Sequence, residues 1–558
     1  MKHHQRNRRE LAKADRPAVS LEISGMVGSH HGIVKCTLLL SHWTLVQAAQ
    51  LILVLTIAMA ASAQERVDLD AIGRIKAEGL SSQSQAMEIL EHVADLCGPR
   101  LTGSPYRQPA ADYVQKTLTD WGLAKVHTEA FPFGRGWAAE RFSGQVISGQ
   151  PWTLTGYAKA WTPGTKGTVR AEAVLAVIEN ESDMERLKGK LRGKFALIVP
   201  KRALKPLFEP IASRMSAADL AEFSAQPDPT IPIVLGQARR NAQAPFLEKL
   251  RTFLVNEGVL CSLDAADRGL LGATQVMNGG SPDPKAPAVP CQVTLATEHY
   301  NRLFRMLEHN VVPVIEMNVQ NRFVDEAETF NIMGEIPGTD KADEMVILGA
   351  HWDSWHAGTG GQDNGAGLAT MMEAMRILKK TGLKFRRTIR VVLFDGEEEG
   401  LLGSQAYVRE HVADPETMTL KPDQEKISLY LNVDNGGGLI RGLLLNGNEA
   451  IAPVFAKWME PFQNLGMGLL GPRITGGGDH VPFDAVGIPA FEFIQDLLEF
   501  RRTAHTNQDV FDRVQAADMM ENAVIVASFA YQAANRDERM PRKPLPTAQQ
   551  ARDRWVLK

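Results

Sequence analysis

Five side chains of metal-binding type punctuate the second half of the sequence: His351, Asp363, Glu398, Asp434 and His505. Most stand where a short apolar run gives out. Glu344–Ala350 leads into His351-Trp352-Asp353, Thr388–Phe394 into Asp395-Gly396-Glu397-Glu398-Glu399, and Ile427–Val433 into Asp434. Asp363 lies in the glycine-flanked stretch Gly361–Gly367, and His505 in the last loop, Thr503–Asn507. Imidazole and carboxylate together suit zinc. Two ions about 3.5–4 Å apart form a common hydrolytic centre, and the pair needs a carboxylate that bridges them. Each ion then takes one histidine, one further carboxylate and an open position for water, a demand that five ligands satisfy. A neutral imidazole ligand usually has its second nitrogen held by an acceptor. Asp353, two residues past His351, is spaced for that.

The run Glu397-Glu398-Glu399 would elsewhere read as a solvated surface. Here it ends an apolar strand in a chain that offers His and Asp at neighbouring strand ends. One glutamate of such a run can hold a metal while its neighbour serves as general base toward water. The glycine-rich segment Gly476–His480 adds a further Asp-His pair.

These residues need a scaffold that gathers strand ends. From Thr329 onward strands and helices alternate: strand 344–350, helix 366–380, strand 388–394, helix 401–411, strand 427–433, strand 489–494 and a closing helix 515–536. That order predicts an α/β sheet covered on both faces, with functional groups at the carboxyl ends of its strands. Helices at 82–93 and 110–121 and a strand at 124–131 come earlier. Between about 137 and 320, short β-rich runs alternate with Gly and Pro turns, which predicts a separate β-rich unit. The last twenty residues are polar and contain Pro, and read as a surface tail. Trp352, Trp355 and Phe394 read as packing.

Composition limits the alternatives. The 558 residues carry 61 Lys+Arg against 65 Asp+Glu, are 44% hydrophobic and 23% charged, and contain four Cys. These values exclude a disordered, collagenous or coiled-coil chain and a disulfide scaffold, and argue against a basic nucleic-acid binder. Basic residues, an apolar stretch at 45–60 and Ala61-Ser62-Ala63 have the order of a secretory signal peptide over residues 1–63. An uncleaved anchor is the other reading of that stretch. Its removal takes away seven basic and three acidic residues and leaves 495 residues of net charge −8. Cys97, Cys261 and Cys291 remain; the last two either pair or stay as buried thiols.

With these residues in view, a resemblance emerges. His351-x-Asp353, Asp363-Asn364-x-x-Gly367, Glu397-Glu398-x-Gly400-Leu401-x-Gly403-Ser404, Asp434, Asp479-His480 and His505-Thr506 follow the order of the co-catalytic zinc exopeptidases. These are the aminopeptidase Y, bacterial leucyl aminopeptidase and glutamate carboxypeptidase family. Leu96–Ser104 looks most like the carboxypeptidase Q branch. The resemblance spans about residues 80–535. It implies a three-layer α/β catalytic domain with a mixed sheet (66–139 and 316–540), a protease-associated domain inserted at 140–315, and a polar tail at 541–558.

It also implies roles. Asp363 would bridge two Zn²⁺ ions. His351 and Asp434 would hold one, and Glu398 and His505 the other. Glu397 would be the general base, Asp353 the partner of His351, and the Asp363–Asn364 peptide would be cis. Some relatives place a Tyr oxyanion donor before the last His; Ala504 stands there in this chain. His480 is either a substitute donor or a histidine bonded within its loop. The implied activity is hydrolysis of dipeptides or peptide N-termini by an exported enzyme, a homodimer by analogy. Carboxypeptidase action, a one-zinc glutaminyl cyclase and a metal-free receptor-like relative are the alternatives. The full ligand set argues against the last two.

Overall fold

The computed structural model describes residues 65–225, 234–266 and 271–555 (backbone only for 234–243). The expected signal peptide lies outside them. Among the described residues no helix is long and apolar enough to cross a membrane.

Eight strands form the first sheet: β1 Ala124–Ala130, β2 Phe330–Ile336, β3 Lys341–His351, β4 Arg387–Phe394, β5 Ile427–Asn432, β6 Ile440–Leu444, β7 Leu469–Gly471 and β8 Ala490–Gln495. Their spatial order is β1-β2-β4-β3-β5-β8-β6-β7. The middle four, β4-β3-β5-β8, run parallel, while β1/β2, β2/β4 and β6/β8 pair antiparallel. The sheet is therefore mixed, and four carboxyl ends lie side by side at its centre.

Alternation along the strands builds two cores, because successive side chains point to opposite faces. Val346, Leu348 and Ala350 of β3 join Val391 and Leu393 in one cluster. Met345 and Ile347 join Val392 and Phe394 in the other. Helices α1 (Ala366–Lys380) and α3 (Ala516–Asn535) pack on the first face. Both are buried nearly all round, as expected of helices in the interior of a large domain. Tyr407, helix α2 (His480–Ala485) through Phe483, and Trp555 cover the second face.

Trp555 corrects the expected polar tail. Residues 541–555 are docked, not dangling: Lys543 and Arg554 pair with the buried Asp484 of α2 at 2.6 and 2.7 Å. Helix α4 (Ala548–Trp555) buries Ala551 and Trp555. Two apolar side chains amid charge are too sparse a pattern to show a buried face in sequence.

The β-rich region forms a second eight-stranded sheet. Its longest pair, Gly136–Val146 with Val314–Val324, starts four residues before the expected boundary of 140 and ends nine beyond that of 315. Cys261 and Cys291 are both buried free thiols, the first opening the strand Cys261–Ala265 and the second just preceding its neighbour Gln292–Leu295, with Ser262 N–H donating to the Cys291 carbonyl at 2.9 Å.

Candidate metal centre

The strand-end residues converge. His351 is the last residue of β3, Glu397 and Glu398 follow β4, and Asp434 lies two residues beyond β5. Asp363 sits in the turn before α1, where the Asp363–Asn364 peptide is cis. That turn needs Gly367: a Cβ there would stand 2.2 Å from Asn364 Oδ1 and 2.4 Å from the Val433 carbonyl. The space goes instead to a bond from the Gly367 N–H to Asn364 Oδ1, while Asn364 Nδ2 donates to Val433 O.

Among the described residues, two groups of ligand atoms gather closely enough to hold an ion: His351, Asp363 and Asp434; and Asp363, Glu398 and His505. Asp363 belongs to both. Its Oδ1 lies 3.4 Å from His351 Nε2 and its Oδ2 lies 3.0 Å from His505 Nε2. Asp434 Oδ1 is 3.1 Å from His351 Nε2, and Glu398 Oε2 is 3.1 Å from His505 Nε2. One carboxylate thus turns an oxygen to each histidine, and each histidine has a carboxylate of its own. His505, 21% exposed, marks the open side; His351 is buried.

The electrostatics suit a cation. Burial would push the His351 imidazole down, yet Asp434, Asp353 and Asp363 hold it well above its usual value. His505 is raised the same way by Glu398 and Asp363. Asp363 is held well below the ordinary carboxylate range by the two histidines, against the effect of burial. Asp434 is pushed up by burial, with Glu397 and Asp363 adding like charge. These are the shifts of a crowded anionic donor set, and a dication among the same atoms offsets that charge. Two His and three carboxylates, one of them shared, fit a pair of such ions.

Asp353 does more than its spacing suggests. Its Oδ1 lies 3.4 Å from His351 Nδ1, which also meets the Asp353 carbonyl at 3.1 Å. The same carboxylate accepts from the backbone N–H groups of Glu397 and Glu398 at 3.2 and 3.3 Å and from Thr102 Oγ1 at 3.2 Å. One buried side chain therefore ties the His351 strand end to the Glu397-Glu398 turn.

Three further partners escaped the sequence reading. Trp355, read as packing, donates its Nε1–H to Glu398 Oε2 at 2.9 Å. Asp509 accepts from the backbone N–H groups of Gln362 and Asp363 at 2.6 and 3.2 Å; burial and the Asp363 charge raise its carboxyl to about 8. Arg100, fully buried, donates to the carbonyls of Trp352, Val93, Thr359 and Gly360 at 2.6–3.0 Å. It laces the loop after His351 to the loop before Asp363. Only its place in the Leu96–Ser104 motif marked it in the sequence.

His480 belongs to neither ligand group. It is buried, and its Nε2 meets Thr475 Oγ1 at 2.8 Å; burial lowers its pKa to about 3, so it is neutral. Asp479 accepts a short bond from Ser404 Oγ at 2.5 Å. Trp352 stacks on Phe330 at 5.6 Å and Phe394 joins the second core, as packing residues.

Residues 331–530 match the model of peptidase family M28. The chain is 25% identical to carboxypeptidase Q of Mus musculus over 464 residues, covering 82% of this chain and 88% of that protein. It is 28% identical to aminopeptidase YwaD of Bacillus subtilis (strain 168) over 214 residues, 38% of this chain and 46% of that one. Among solved structures, a peptidase M28 precursor from Shewanella amazonensis SB2B aligns with a TM-score of 0.63 at 23% identity, covering 86% of this chain and 98% of that one. A zinc aminopeptidase from Bacillus subtilis aligns at 0.53 and 19%, covering 81% and 96%.

Proposed function

We propose, from the premise that this chain is a metallopeptidase whose residues 331–530 are of family M28, that it is an exported di-zinc exopeptidase acting on dipeptides or peptide N-termini. The observation that carries this is Asp363, with one oxygen toward each of two histidines that have further carboxylates of their own. His351, Asp363 and Asp434 would hold one Zn²⁺, and Asp363, Glu398 and His505 the other. Such a pair supplies Lewis acidity, which eases deprotonation of water and stabilises charge on a carbonyl oxygen.

The protein's own part is positioning and proton transfer. Glu397 is the general base: it takes a proton from the attacking water and returns it to the leaving amine. The bonds from its backbone N–H and that of Glu398 to Asp353 keep base and ligand in fixed register with His351. Trp355 and Asp509 do the same for Glu398 and the Asp363 turn. Ala504 provides no donor of the kind some relatives have there, and His480 serves its own loop through Thr475.

The dipeptide substrate rests on the resemblance carried by the sequence motifs, and the likeness to carboxypeptidase Q over most of both chains supports carboxypeptidase action on short peptides as the second reading. The second sheet supports a protease-associated insert, and the first 63 residues support export; the homodimer stays an analogy. The test is metal content of the purified protein together with hydrolysis of Ser-Met and of Leu-p-nitroanilide. Two zincs per chain and cleavage of Ser-Met are expected. One zinc, or cyclisation of N-terminal Gln without peptide hydrolysis, would overturn the reading.

A further inference from the structure

The two ligand groups are not supported alike. His351 ends β3 and Asp434 lies two residues past the neighbouring β5, close to where that sheet's ladder stops. His505 has no strand beneath it. It lies in a loop, with φ at +62°, in the left-handed region that non-glycine residues occupy only where the surroundings enforce it.

What enforces it is the β-rich region. Segment 271–280 joins two strands of the second sheet, Cys261–Ala265 and Gln292–Leu295, through residues that include 267–270, and it is anchored there by the Ala160–Asn278 bridge and by bonds from the Gly279 and Gly280 N–H groups to Ala160 O. It runs antiparallel against the His505 loop. Val276 N–H donates to the His505 carbonyl at 2.9 Å, and Asn507 N–H to the Thr274 carbonyl at 3.3 Å, around the Gln275–Thr506 bridge. Asn507 closes the pairing: its Oδ1 accepts from the Thr274 N–H at 2.7 Å, and its side chain also meets Tyr157 of the second sheet.

We infer that Asn507, clamped to Thr274, is a positioning residue through which the second sheet completes one metal group, Asp363–Glu398–His505, without bracing His351 and Asp434, the two ligands particular to the other. This rests on the two-metal reading. On this account the β-rich region is part of the metal centre's scaffold.

The experiment titrates Co²⁺ alone into metal-stripped full-length protein and follows the visible absorption of each ion, with total metal measured on the same samples. In wild type two ions bind. In Asn507→Ala one of the two ions is expected to lose about tenfold or more in affinity, and the other to stay within about twofold. Asn507→Asp keeps the acceptor for the Thr274 N–H and is expected to restore both. Equal weakening of both ions, no change in either, or an Asp variant as poor as the Ala variant would overturn the clamp. Wild-type protein that takes up a single ion would overturn the two-metal reading, and the clamp with it.

Discussion

Replacing Trp355 by Phe separates a packing role from a metal-supporting one. The indole Nε1–H meets Glu398 Oε2 at 2.9 Å, and its ring stands edge-on to His505 at 6.2 Å. Trp355 is 4% exposed, so water does not easily replace the lost donor. A hydrogen bond to a charged acceptor contributes about 1.5–3 kcal/mol. At about 1.4 kcal/mol per decade, this amounts to roughly 10–100-fold in affinity for the ion held by Asp363, Glu398 and His505. Groups that orient metal ligands typically contribute on that scale. Phe keeps an aromatic ring but loses volume against Trp161, so the thermal midpoint should also fall. That packing loss has no reason to discriminate between the two ions. The assay is competition of Zn²⁺ against a chromophoric chelator in wild type and variant, with thermal unfolding alongside. A selective fall in one affinity is expected. Two affinities that fall together, or a lower midpoint with both affinities intact, would refute the reasoning and return Trp355 to the core.

Three other outcomes follow from the same geometry. Glu397→Ala should bind metal as wild type does but lose hydrolysis by about 10²–10⁴-fold; full activity on Ser-Met would remove Glu397 from the base role. His480 is held neutral, with its pKa lowered to about 3, so the unfolded chain binds a proton below about pH 6.5 that the folded chain refuses. Stability should therefore fall as pH drops from about 6.5 toward 3, by up to about 1.4 kcal/mol per unit. Urea unfolding of His480→Gln should show a shallower slope in that window, and an unchanged slope would count against the assignment. Trp555→Ala should cost about 3–5 kcal/mol, as burial in the second core demands; a loss near zero in chemical denaturation would restore the tail to the surface.

The ligands were legible in the sequence because strand ends are. An apolar run that stops at His351, at Asp395–Glu398 or at Asp434 announces both a buried strand and the polar group at its carboxyl end. Parallel neighbours then bring those ends together. The α/β sheet, the two buried helices α1 and α3, and the β-rich middle region follow from the same periodicities, whereas the mixed strand directions were implied by the resemblance alone. The supporting partners were not legible, because their bonds run between residues far apart in the chain and use chemistry common to ordinary side chains. Trp355 looks like any core tryptophan until its N–H is seen on Glu398. The Arg100 guanidinium donates to carbonyls, which leave no mark in sequence. Asp509 bonds backbone N–H groups around Asp363, and Asn507 bonds a residue 233 positions away.

By itself, then, the sequence determined which side chains of metal-binding type stand at strand ends, since that follows from side-chain type and position, while the choice of Glu397 as the proposed base came from the resemblance. Only the tertiary structure decided that Asp363 turns one oxygen to each histidine, that His480 faces Thr475, that the C-terminal residues pack as helix α4, and that the second sheet braces the His505 loop. Each of these depends on side-chain direction and on contacts across the fold, which residue order alone does not specify.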